Sequence, residues 1–225
     1  MQKLIFSMLV GAGLFGAFCT SQADAGPGHT NRTYQVTITN MTAGETFTPL
    51  MVASHSDAPD ALFSVGDAPS DALAAMAESG DTTALQAMLE SDYRVSDVVS
   101  SGGLLEPGQS ATVEVTARPG RDRITLAGML IPTNDAFTAI QNVKLPRAHK
   151  SLSLYTPAYD AGSEPNDELC ISIPGPVCGG TGGSPGVGGE GFVYIHSGIH
   201  GIGDLAPSAY DWNNPVAKIV IQRAK

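Results

Sequence analysis

Tyr34, Val36 and Ile38 alternate with Gln35, Thr37 and Thr39, a period of two that predicts a strand with one buried face. Residues 47–52 continue in the same β-like composition. Across residues 70–90 the period changes. Leu73, Met76 and Ala77, then Leu85, Met88 and Leu89, fall at helical spacing, with Gly80 dividing the run and Ser70 and Asp81 placed as N-caps. This predicts two short helices inserted between strands, a lid over an edge or end of a sheet structure. Beyond Gly102 the alternation resumes, Ala111, Val113 and Val115 against Thr112, Glu114 and Thr116. Residues 124–131 are almost continuously apolar, which predicts a central strand covered on both faces. Leu152 and Leu154, then residues 192–196 and 217–221, supply the last strands. Residues 181–190 hold five glycines in ten positions and read as an exposed, flexible loop. Repeated short strands with one helical insertion give a mainly β chain, an antiparallel sandwich with a short two-helix insertion.

The first residues follow neither period. Lys3, an apolar core from Leu4 to Phe18 and the small-x-small Ala23-Asp24-Ala25 read as a secretory signal peptide cleaved after Ala25. The apolar run is short for a membrane span, and the bulky Phe18 before Cys19 argues against a lipoprotein. The remaining 200 residues, 26–225, are enough for one well-buried domain and keep the net charge of −10. That acidity, with no run of Lys or Arg, argues against nucleic acid or an anionic membrane surface as partner and favours cations. An extracellular protein or glycan is the expected partner, and the medium, periplasm or cell surface the expected location. Cys170 and Cys178 remain after cleavage, and an even pair in an oxidising compartment predicts a disulfide. Its loop is short, so chain entropy credits it with only about 2–3 kcal/mol.

Two acidic segments stand apart, Ile131-Pro-Thr-Asn-Asp135-Ala-Phe137 and Tyr159-Asp160-Ala-Gly-Ser-Glu164. Each sets carboxylates among Pro, Gly and Asn beside apolar runs, the way oxygen ligands are presented on loops at the end of a β-sandwich. Calcium takes six to eight oxygens at roughly 2.3–2.6 Å, several of them carboxylate. Asp160 and Glu164 are spaced to hold one ion from one loop while Asp135 closes it from another. Spacing alone leaves open that these are simply solvated acidic loops.

These two segments, with Tyr34-Gln-Val-Thr-Ile-Thr-Asn40 and Asn214-Pro-Val-Ala-Lys-Ile-Val-Ile221, resemble the spondin N-terminal domain family of F-spondin, mindin and bacterial exported proteins. The resemblance runs from about Thr33 to Ile221. It implies a C2-like antiparallel sandwich and one calcium ion held at Asp135, Asp160 and Glu164. Two positions depart from the animal pattern: Glu164 stands in place of Asp, and Ala136 in place of an aromatic residue.

Other chemistry is thinly represented. His196, His200 and Asp204 form a weak alternative metal set, since imidazole and carboxylate suit zinc or copper, but the glycines between them make a turn-rich loop. His55 is a weak candidate of the same kind. No Gly-x-Ser-x-Gly elbow and no phosphate-binding loop is present. The expected function is therefore that of a non-enzymatic, exported calcium-binding module for adhesion or extracellular recognition. The alternative is an exported metal-dependent hydrolase using the same acidic loops.

Overall fold

The computed structural model describes residues 30–57, 61–147, 149–183 and 188–224. The leader read at residues 1–25 lies outside the described residues. Two antiparallel sheets face one another. The smaller has the order β5 (Ser110–Ala117), β1 (Arg32–Asn40), β11 (Ala217–Arg223), β8 (Ser151–Thr156). The larger runs β10 (Tyr194–Ile195), β9 (Ala158–Asp160), β7 (Ala136–Lys144), β6 (Arg123–Ile131), β3 (Met51–His55), β4 (Val95–Ser100), with β2 (Thr46–Phe47) also paired to β6. The molecule is thus the mainly β, antiparallel sandwich that the periods predict.

The alternation in β1 has its expected consequence. Tyr34, Val36 and Ile38 are buried, and they meet Val113 and Val115 of β5, Ile219 and Ile221 of β11, and Ile124, Leu126 and Leu130 of β6 in one inter-sheet core. β6 is buried on both faces because its other side chains point the opposite way. Ala127, Met129 and Ile131 lie in a second core under α1 (Asp71–Ser79) and α2 (Thr83–Glu90). The helices therefore cover the outer face of the larger sheet as a third layer, and not an edge or end. Leu73, Met76, Ala77 and Leu85 are fully buried there, whereas Met88, despite its spacing, is 43% exposed. Among the described residues no helix is long and apolar enough to cross a membrane.

Local chemistry ends the helices where the sequence marks them, with one correction. Ser70 Oγ accepts the Leu73 N–H, and Gly80 closes α1 at φ 72° with its N–H on Met76 O. A Cβ at Gly80 would also lie 2.7 Å from the Thr48 side chain, so this position needs glycine twice over. Asp81 is not the N-cap of α2: that place is taken by Thr82, whose side chain makes no capping bond. The Asp81 carboxylate instead accepts the Thr83 N–H at 2.8 Å from one residue further out. A short third helix, α3 (Pro207–Tyr210), precedes the last strand.

Candidate functional site

Asp135 and Asp160 reach one place through strand pairing. β7 and β9 are neighbours in register, Ala136 opposite Asp160 and Phe137 opposite Tyr159. The Phe137 and Tyr159 rings stack with centroids 5.5 Å apart, and Phe63 packs edge-on against both at 5.0 and 4.8 Å. A cross-strand aromatic pair of this kind fixes register. Asp135 thus ends the β6–β7 turn, while Asp160 is the last residue of β9 and not a loop residue. The turn is tied by Thr133 Oγ1, which donates to Leu130 O and accepts the Ala136 N–H. Asn134 reaches across it, donating to Asp167 and accepting the Glu168 N–H.

Neither carboxylate is solvated. Asp135 and Asp160 have no exposed surface and Glu164 has 2%, which removes the reading of free acidic loops. The cover is backbone. Gly191 N–H bonds to Gly162 O, and Gly189 N–H bonds to Ser163 O. A Cβ at Gly162, where φ is 68°, would lie 2.3 Å from Phe192 O; a Cβ at Gly189 would lie 2.4 Å from Glu164 O. The C-terminal end of the glycine-rich stretch is therefore seated against the acidic segment, whereas Gly182 near its start lies against Glu78 and Ser79 of α1.

The hydrogen bonds are uneven. Asp135 Oδ2 accepts three, from Ser163 N–H, Ser163 Oγ and Glu164 N–H, whereas Oδ1 has no hydrogen-bond partner among the described residues. Asp160 Oδ1 accepts the Gly162 N–H and Oδ2 accepts Asn166 Nδ2 at 2.5 Å. Asn166 is the hinge of this network, since it also donates to the Tyr194 hydroxyl and accepts from His196 Nε2. His196 Nδ1 accepts the Gly198 N–H, so the ring proton sits on Nε2, 3.6 Å from Asp160 Oδ2. Burial holds this ring neutral, with its pKa lowered to about 4. Burial, and then the neighbouring Asp160 charge, push Asp135 up to about 7. Burial raises Asp160 as well. Among the described residues no cationic side chain pairs with these two adjacent buried carboxylates, the nearby imidazole being neutral, and one proton or one cation would supply the missing charge.

The sequence-based set is brought together in part. The Asp135 and Asp160 side chains meet, and Glu164 meets Asp135 through its backbone N–H. Among the described residues no three His, Cys, Asp or Glu side chains are gathered around a common point. His196, His200 and Asp204 go separate ways: His196 faces Asn166, His200 Nε2 bonds to Ser197 Oγ, and Asp204 Oδ2 accepts the Cys170 N–H. His55 is a buried strand residue held by Thr125 Oγ1 and Ser56 O. Asn166, Ser163 and Tyr194 support the acids, and only the proximity of Ser163 and Asn166 to Glu164 in the chain gave any signal of them. The Cys170–Cys178 disulfide is formed as expected, across a separation of eight residues. A further acid, Glu45, is fully buried with no partner for either carboxyl oxygen among the described residues. Burial, with Asp211 nearby, drives it up to about 9.

No curated protein matches the chain. The family model for Spondin_N matches residues 30–166, a span that contains β1 and both acidic segments and ends at the Asn166 hinge. With more than half of its length matched, the chain belongs to the Spondin_N family.

Proposed function

We propose that this chain is an extracellular recognition or adhesion module in which one calcium ion, held by Asp135, Asp160 and Glu164, ties the two acidic segments together. The observation that carries the proposal is the Asp135–Asp160 pair: two fully buried carboxylates, one at the end of the turn into β7 and one at the end of the neighbouring β9, with one oxygen that has no hydrogen-bond partner among the described residues. An all-oxygen donor set suits a hard cation, and calcium accepts the irregular geometry of loop ligands more readily than magnesium does. Bound there, calcium supplies the charge that the pair lacks. Asn166, Tyr194 and His196 orient Asp160, and Ser163 and Glu164 orient Asp135 through their N–H groups. Family membership and the disulfide support an exported protein. Export through a leader at residues 1–25 belongs to the same proposal. Hydrolysis at the same acids is disfavoured by their burial, since a substrate would have to displace the covering backbone of Gly162 and Gly189 to touch them.

Thermal melting with and without calcium tests the proposal. A ligand that binds only the folded state stabilises it by RT ln(1 + [L]/Kd), about 2.7 kcal/mol at one hundred times Kd. Calcium is expected to raise the melting temperature of the wild type well beyond the effect of equimolar magnesium, and Asp135→Asn is expected to remove the rise. An equal calcium response in both proteins places the ion elsewhere and defeats the proposal.

A further inference from the structure

The chain has twelve Lys and Arg residues against twenty-two acids. Four of the twelve line one cleft of about 330 Å³: Arg32, Lys144, Arg147 and Arg223. They are scattered along the sequence, and strand register gathers them. In the β1–β11 pair, Ile38 lies opposite Ile219, Val36 opposite Ile221, and Tyr34 opposite Arg223. The first two pairs and Tyr34 fill the inter-sheet core. Because side chains alternate along a strand, Arg223 continues the inward-facing row of Ile219 and Ile221, and Arg32 continues that of Val36 and Tyr34. Two arginines thus occupy the inward positions where the core opens at the end of the sandwich. Lys144, the last residue of β7, and Arg147 close the other side, with buried Tyr34 and Leu145 as the floor.

The charge in this cleft is not neutralised from within. Arg32, Arg147 and Arg223 have no hydrogen bond or ion pair from their side chains among the described residues. The one acid of the lining, Asp122, is shared between Lys144 at 3.7 Å and Arg123 at 4.0 Å. An electropositive cleft with an apolar and aromatic floor, in a molecule of net charge −10, is suited to a compact anion and not to a polyanion, which the rest of the surface repels. Arginine forks match tetrahedral oxyanions in particular. The volume is at the lower end of small-molecule sites.

We propose that this cleft is a binding site for a tetrahedral oxyanion, a phosphate or sulfate group, either free or carried as a monoester on a sugar. The sources differ in what they ask of the floor. A sugar ester places its ring on Tyr34 and Leu145, whereas a free ion uses the cations alone. Isothermal titration of the purified, calcium-free chain with inorganic phosphate, glucose 6-phosphate, glucose 6-sulfate and glucose separates them. Binding of the esters at least as tight as that of inorganic phosphate identifies an esterified sugar as the ligand class. Tighter binding of inorganic phosphate identifies the free ion. Glucose is expected to give no heat. Arg147→Glu and Arg223→Glu are each expected to weaken oxyanion binding by about tenfold or more, the worth of one charge-assisted hydrogen bond. Arg118→Glu, an exposed change outside this lining, is expected to leave it unchanged. No oxyanion binding at about 10 mM in low salt, or equal weakening by all three substitutions, overturns the proposal.

Discussion

Replacing Asp135 with Asn keeps an oxygen for the three donors that now meet Oδ2 and puts an amide where Oδ1 has no hydrogen-bond partner. It also removes the like charge beside Asp160. Without calcium, Asp135→Asn is therefore expected to be more stable than the wild type at pH 8, while losing the calcium response; denaturant titration at pH 8 checks the sign. The pH dependence follows from the same groups. Asp135 holds its proton up to about 7 in the folded state but only to 3.8 as a free side chain, so the folded protein binds more protons between those values and loses stability as pH rises through them. Glu45 extends the loss to about pH 9. His196, lowered to about 4, acts in the opposite sense, but only as pH falls below 6.5. The calcium-free melting temperature is thus expected to fall from pH 6.5 to 9, and Glu45→Gln to flatten the part above pH 7. A profile that rises over this range would show that these carboxyls are ionised in the folded state without penalty.

Strand pairing places these residues, and it was only partly legible in the sequence. β1 and β5 are written as clean alternation because each has one wet face, and β6 as an apolar run because it has none. β7 and β9 escaped that reading. Ala136 to Ile140 is buried at every position, so it shows no period of two, and β9 has only three residues. The acidic motifs beside them accordingly read as loop in the sequence, though Asp160 is strand. The helices were legible from spacing and from Ser70 and Gly80, but their position over the outer sheet face depends on Met129, Phe137 and Ala139, which no local pattern connects to them. The basic cleft left no trace in the chain order, since only the β1–β11 register and the end of β7 assemble it. The element that holds the site together is the Phe63–Phe137–Tyr159 cluster. Phe63→Ala is expected to cost about 3 kcal/mol or more in chemical denaturation and to weaken calcium binding, because it frees the β7–β9 register without touching a ligand. Loss of stability with calcium affinity unchanged would show that register does not depend on this ring.

The two ends of the sandwich carry opposite chemistry. Asp135 precedes β7 and Lys144 ends it, so nine strand residues, roughly 30 Å at about 3.3 Å each, separate the carboxylate pair from the basic cleft. Calcium and an oxyanion would therefore bind without sharing a ligand. The disulfide and the family fit an exported protein, and N-terminal sequencing of it is expected to begin at Gly26; retention of residues 1–25 would overturn the cleavage site. Whether calcium or a proton neutralises the buried pair distinguishes a metal site from a shared-proton carboxyl pair. Crystals grown with calcium and measured for anomalous scattering decide it most directly. One peak is expected within roughly 2.3–2.6 Å of oxygens from both Asp135 and Asp160. Two carboxyls in direct contact with no peak between them, a proton in place of the ion, would contradict it.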